Sequence, residues 1–344
     1  MIKKIFLMLV CCIVGITDAR AYEYKKLDAL FRTINTDYVR KANFKNISIK
    51  GLKLLSQFDT NLKLYNSDSK AFLYQNNVLI GIFDLPKKEE NSESWKNFML
   101  TILRVSAQRS EKISEYEKDI ESSLFNLIAD NLDSFSRIEN TKYAEKALQY
   151  SIHKDILYIR PNLFKEGTAD FIKRITANHP NIKGIILDLK GNIGGSLNEA
   201  IQTADLFLDG GIITYSEDKF KQVKYYTATE GDIFNGKPIV VLTDDKTASA
   251  AEIIVAAFGE QSRAVIVGTK TFGKGSIQNT YQIEKKTLFL TSGYFFSPSG
   301  KSINNIGLIP QICTGYKNSC VITDKSNPNK ELLVAIDLIN NNLG

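Results

Sequence analysis

From about residue 155 onward, short runs of β-branched and aliphatic residues alternate with amphipathic segments, and this alternation restricts the possible folds more than any other feature of the chain. The strand candidates are Ile156–Ile159, Gly184–Leu189, Pro238–Leu242 and Ala264–Val267. Between them, apolar spacing predicts helices over 166–178, 196–208 and 249–259. Strands alternating with helices of this length argue a parallel α/β sheet. Further strand is expected over 281–296, where Thr287-Leu288-Phe289-Leu290 and Tyr294-Phe295-Phe296 form alternating runs.

The first half reads differently. Residues 22–64 have helical periodicity, with Leu27, Leu30, Phe31 and Ile34 on one face and a second stretch at Ile49–Phe58. Over 71–85, two apolar runs flank Gln75-Asn76-Asn77, which predicts a hairpin. A polar loop at Pro86–Ser94 leads back to helical spacing from Trp95 to about Ile128. No cluster of chemical groups falls in this half. With 43% apolar residues in 344, a sizeable core can form. The expected organisation is a leader at 1–21, a mainly helical region with a hairpin at 22–150, and an α/β unit at 151–344.

The leader reading rests on Lys3 and Lys4, the short apolar run Ile5–Thr17 and the Ala19-Arg20-Ala21 cleavage pattern. The run is short for a membrane span, which needs about 20 residues. A secretory signal places the mature chain in the periplasm or outside the cell, with no stable membrane span after cleavage. Cys11 and Cys12 leave with it. Cys313 and Cys320 then bound a short turn in an oxidising compartment, which favours a local disulfide over a metal or thiol site. Losing Lys3, Lys4, Arg20 and Asp18 takes the formal charge from +6 to +4, and bases are scattered among acids, so nucleic acid is not an expected partner.

Three turns follow predicted strands. Asp188-Leu189-Lys190-Gly191-Asn192-Ile193-Gly194-Gly195 is either a plain strand–helix turn or a cradle of N–H groups for a phosphate or an oxyanion. In Thr247-Ala248-Ser249-Ala250-Ala251-Glu252, Ser249 is either a helix N-cap with Glu252 at capping-box spacing or a nucleophile raised on a strand–helix turn. In Thr271-Phe272-Gly273-Lys274-Gly275-Ser276, Lys274 is either a surface lysine or a desolvated base. A serine nucleophile needs a base, and the two histidines, His153 and His179, are poorly placed for one.

These segments together resemble the carboxyl-terminal processing, or tail-specific, serine peptidases. ILDLKGNIGG, TASAAEI, VGTKTFGKGSIQ and LTSGYFFSPSGKSINNIGLIP resemble that family's motifs in order, and Asn131-Leu132-Asp133-Ser134-Phe135-Ser136 resembles the segment before its core. The Ser249–Lys274 separation of 25, with Gln278 four further on, fits the family's Ser-Lys-Gln arrangement. The sequence departs from the family at two places. Only about Glu139 to Lys154 lies where a PDZ domain is usual, and Gln311 follows Pro310 where an acid is common.

The resemblance implies a crotonase/Clp-peptidase-like α/β core. It also implies a serine endopeptidase with Ser249 as nucleophile, Lys274 as base and Gln278 orienting the amine. The N–H groups of Gly195 and Ala250 would form the oxyanion hole. No cofactor or metal is implied. The expected partners are polypeptide substrates, unfolded or C-terminal regions of exported proteins, and oligomerisation is left open. Two rivals share the fold class: a catalytically inactive binding or scaffold protein, and a crotonase-like thioester enzyme. The presence of all three side chains speaks against the first. Export from a compartment rich in coenzyme A speaks against the second.

Overall fold

The computed structural model describes residues 24–139, 148–283, 286–322, 326–327 and 329–341. The expected leader and its cysteines lie outside them. The chain divides into two compact units.

The first unit takes the residues up to Thr33 and Asn43–Asn131. It holds most of α1 (Lys25–Asp37), then α2 (Phe44–Lys53), α3 (Leu55–Phe58), β1 (Leu62–Asn66), β2 (Lys70–Gln75), β3 (Val78–Asp84), α4 (Ser92–Arg109), α5 (Glu111–Glu115) and α6 (Glu117–Asp130). Local chemistry fixes the helix starts. The side chains of Asn43, Asn91 and Ser110 accept the N–H groups of Asn46, Ser94 and Ile113. Leu27, Leu30, Phe31, Phe44, Trp95 and Leu124 are fully buried between the helices. The hairpin forms as expected, its reversal carried by Asn76 and Asn77, both in the left-handed region. The helical reading of 22–64 fails at its end. Residues 62–66 form β1, antiparallel to β2, because pairing with the hairpin edge supplies backbone partners and buries Leu62.

The second unit takes Ile34–Ala42 and the chain from Leu132 onward. The division falls before the expected boundary at residue 150, because β4 (Arg137–Glu139) pairs with β13 of this unit. The remaining elements are β5 (Leu148–His153), β6 (Ile156–Pro161), α7 (Thr168–Asn178), β7 (Gly184–Asp188), α8 (Leu197–Asp205), β8 (Ile212–Asp218), β9 (Val223–Thr227), β10 (Ile239–Thr243), α9 (Ala250–Glu260), β11 (Val265–Gly268), β12 (Ser276–Ile283), β13 (Lys286–Phe296), β14 (Ile312–Cys313) and α10 (Lys330–Asn340). One sheet runs β14-β11-β10-β7-β6-β5, parallel except for β5. A second, antiparallel sheet runs β12-β13-β8-β9, with β4 also on β13.

This is the expected α/β core. β7 and β10 are buried throughout because both faces are covered. Ile185, Leu187, Ile239 and Val241 pack with α7, α8 and α9. Ile186, Val240 and Leu242 point the other way, toward Ala335 and Ile339 of α10. Each such side chain contributes roughly 1.5–3 kcal/mol by burial, so a polar substitution on either face of these strands is costly.

Candidate active site

The three turns follow β7, β10 and β11, which are adjacent parallel strands. Their C-terminal ends therefore bring the turns together at one edge of the sheet, the usual position for sites in open α/β sheets. Backbone and side-chain bonds lace them. Ala248 N–H donates to Asn192 O at 2.9 Å, and Phe272 N–H to Thr247 O at 2.9 Å. Thr247 Oγ1 donates to Leu189 O at 2.9 Å, and Gly191 N–H to Asp244 Oδ1 at 2.9 Å.

Ser249 stands at the start of α9 with φ +57° and ψ −122°. Serine rarely adopts this backbone, and such strain persists only where surrounding contacts impose it. One contact is Glu252, whose Oε2 accepts the Ser249 N–H at 2.9 Å. Gly194, at φ +107°, is another. A methyl group there would lie 2.7 Å from Ser249 Cβ and 2.9 Å from Ala248 O, so the glycine turn lies directly against the serine. Asn192 Oδ1 holds the Gly194 N–H at 2.8 Å. The N–H groups of Gly195 and Ala250 meet no acceptor among the described residues.

Lys274 lies between Gly273 and Gly275, and both glycines are needed by close approach. A Cβ on Gly273 would meet Gly307 N at 2.8 Å, and one on Gly275 would meet Asn304 N at 2.6 Å. The lysine amine donates to Gln278 Oε1 at 2.9 Å. Gln278 in turn donates through Nε2 to Phe135 O.

Ser249, Lys274, Gln278, Gly195 and Ala250 all line one cavity of about 720 Å³. All five sequence-predicted active-site residues thus meet in one place, and neither histidine is part of it. Its walls are largely apolar, with Phe135, Leu163, Leu197, Ile253, Ile277 and Phe295 among them. Ile193 and Phe272, 57% and 58% exposed, add apolar surface on two of the turns. Cys313 and Cys320 are bonded, with Cα atoms 4.7 Å apart, and do not line the cavity. Cys320 O instead accepts the Lys270 N–H at 2.6 Å, at the root of the lysine turn.

Sequence reasoning missed two features here. Glu252 is more than a helix cap. It is fully buried, and besides Ser249 its carboxylate accepts from Thr271 Oγ1 at 2.5 Å, Gly273 N–H at 2.8 Å and Lys274 N–H at 2.7 Å. One carboxylate therefore ties the serine turn to the lysine turn. Burial pushes this carboxyl above its usual range, and the four donors oppose that rise. The other feature is Arg137, whose Nη1 donates to the same Gln278 Oε1 at 3.0 Å. Its only sequence signal was proximity to the Leu132–Ser136 segment.

Residues 155–314 match the sequence model of peptidase family S41. A carboxy-terminal-processing protease from Bartonella bacilliformis is 41% identical over 175 residues, 48% of this chain and 40% of that protein. A probable CtpA-like serine protease from Staphylococcus haemolyticus is 24% identical over 91% of this chain and 70% of its own length. Among solved structures, a photosystem II D1 C-terminal processing protease covers 58% of this chain and 54% of its own, at 22% identity and TM-score 0.46. A lipoprotein from Streptococcus agalactiae covers 70% and 88%, at 18% identity and TM-score 0.48.

Proposed function

Since residues 155–314 belong to peptidase family S41, we propose that the chain is a serine endopeptidase that works with a Ser249–Lys274 pair on unfolded or C-terminal regions of exported proteins. The observation that carries this reading is the strained Ser249, opening on the cavity that Lys274 also lines, beside two N–H groups that meet no acceptor among the described residues.

In this reading the Ser249 oxygen attacks the scissile carbonyl carbon while its proton passes to the neutral Lys274 amine. The carbonyl oxygen, now negative, is held by the N–H groups of Gly195 and Ala250. Collapse of the tetrahedral intermediate expels the amine, which takes the proton back from Lys274. Water then hydrolyses the acyl-serine by the same proton path in reverse. Gln278 keeps the amine aimed. The apolar walls favour substrates that present apolar side chains, which unfolded chains expose. The proposed site of action is the periplasm or the exterior, on the strength of the leader pattern; no helix among the described residues is long and apolar enough to cross a membrane.

Degradation of an unstructured reporter by wild type, Ser249→Ala, Lys274→Ala and the double variant tests the reading. Each single substitution should lower turnover by roughly three orders of magnitude or more, and the double should be little worse, because the two groups act as a unit. Wild-type rates in Lys274→Ala would refute it.

A further inference from the structure

Ser134 and Phe135 line the cavity on a short turn that one carboxylate ties down. Asp133 accepts the Phe135 N–H at 2.7 Å, the Ser136 N–H at 2.8 Å and the Ser136 hydroxyl at 2.9 Å. Thr291 of β13 completes the clamp. Its hydroxyl donates to Asp133 at 3.3 Å, and its N–H donates to the Ser136 hydroxyl at 3.2 Å. Ser136 and Thr291 are both buried, so these bonds are shielded from competing water. The turn is also held at its start, where the Tyr38 hydroxyl donates to Leu132 O at 2.7 Å.

The clamp lies directly across from Gln278. In the ladder between β12 and β13, Gln278 pairs with Thr291, and the register slips between Ile277 and Gln278, which passes over Ser292. Such a bulge re-aims the side chains beside it. Gln278 Nε2 donates to Phe135 O, the carbonyl inside the clamped turn. Only the NH₂ end of an amide can face a carbonyl, so this bond turns Oε1 toward the Lys274 amine, 2.9 Å away. Arg137 Nη1 reaches the same carbonyl at 3.3 Å and the same Oε1 at 3.0 Å. The Phe135 ring is also at the site. Its centroid lies 5.8 Å from Lys274 Nζ and 6.4 Å from that of Phe272. Phe135 thus meets the lysine side of the site with both its carbonyl and its ring, and the backbone that sets both is the one Asp133 holds.

We propose that Asp133 is a positioning residue of the Ser249–Lys274 site: it fixes Phe135 O where the Gln278 amide is received, and through Gln278 it keeps the Lys274 amine aimed. It acts through Phe135 and Gln278 rather than on the reacting atoms. A shift of about 1 Å in the carbonyl would pass to the amide, and misplacement of that size costs about a hundredfold in rate. The catalytic meaning of the inference rests on the peptidase reading; the orientation of Gln278 does not.

The test pairs kinetics on the unstructured reporter with the Gln278 side-chain signal in a nitrogen–proton correlation spectrum of the whole protein, identified as the NH₂ pair absent from Gln278→Glu. In Asp133→Ala, kcat should fall by about a hundredfold with KM within about threefold of wild type, and the Gln278 signal should move. Asp133→Asn keeps an acceptor for the two N–H groups and offers its NH₂ to the Ser136 hydroxyl. It should recover most of the loss, to within about fivefold of wild type, with the Gln278 signal restored. Ser136→Ala leaves Asp133 its two N–H bonds but removes one of the two links to Thr291, and kcat should fall about tenfold. In Asp133→Ala, or in Ser136→Ala if the former does not melt cooperatively, a wild-type kcat, an unmoved Gln278 signal or a loss carried by KM alone overturns the proposal. If the wild-type protein cleaves no better than Ser249→Ala, the peptidase reading falls and the Gln278 signal alone decides: moved, it sustains the hold of Asp133 on Gln278; unmoved, it overturns it.

Discussion

At the residue scale, Glu252 shows how a position can be legible in part. The spacing from Ser249 to Glu252 announces a helix start, and the Ser249 N–H does meet that carboxylate. The bonds to Thr271, Gly273 and Lys274 span about twenty residues and were invisible to a local pattern. Replacing Glu252 with Gln turns two acceptors into one acceptor and one donor, and the new NH₂ would face N–H groups. Activity should fall by about two orders of magnitude through misplacement of serine and lysine alone. The pH dependence has a definite sign. The folded chain binds this proton more tightly than the unfolded chain, whose value is 4.5, so its contribution to stability is fully present below pH 4.5 and is lost as pH rises through the folded value. The unfolding free energy of wild type minus Glu252→Gln should therefore decline on going from pH 4.5 upward. Urea titrations at a series of pH values measure it, and a flat difference would count against a raised carboxyl.

At the element scale, the site is built from three strand–turn–helix or strand–turn–strand units, and the turns tolerate little change. Gly194→Ala would put a methyl group against Ser249 Cβ and Ala248 O in a backbone region that suits only glycine. A loss of about 1–3 kcal/mol in thermal or urea stability is expected, with a much larger loss of turnover than of reporter binding. Full activity in Gly194→Ala would mean that the turn does not press on the serine. The parallel core was legible because its strands are apolar on both faces, and the strand candidates Ile156–Ile159, Gly184–Leu189, Pro238–Leu242 and Ala264–Val267 each overlap an observed strand. The elements that escaped were β1, β4, β5, β8, β9, β14 and α10. β5 and β9 are largely exposed and carry no continuous apolar run, so only pairing across the sheet defines them. β1 lay in a stretch whose leucines also fit a helix, and long-range pairing decided between the two.

At the scale of the whole molecule, the open question is how a substrate is chosen. Between Ser136, which is bonded to Thr291 N–H, and the start of β6 at Ile156, the chain has nineteen residues. Two strands, β4 and β5, occupy part of that length and are committed to β13 and β6. A PDZ domain of roughly 80–90 residues, the usual receptor for a terminal carboxylate as an added strand, does not fit at this point. On the proposed peptidase reading, recognition falls on the cavity beside Ser249, whose walls are largely apolar and whose charged lining residues, Arg137, Asp245, Lys246 and Lys274, are of mixed sign. Such a surface reads side chains near the cut rather than the end of the chain. One unstructured reporter should accordingly be cleaved at similar rates, within about threefold, whether its C-terminus is free, amidated or extended by acidic residues. Replacing apolar residues next to the cut with charged ones should lower kcat/KM by about tenfold or more, since burying a charge against an apolar wall is costly. Cleavage rates of the matched reporters, read by mass spectrometry at equal concentration, decide the matter. A large loss on amidation alone would show that a carboxylate receptor acts on the substrate, and selection by the cavity would then be wrong.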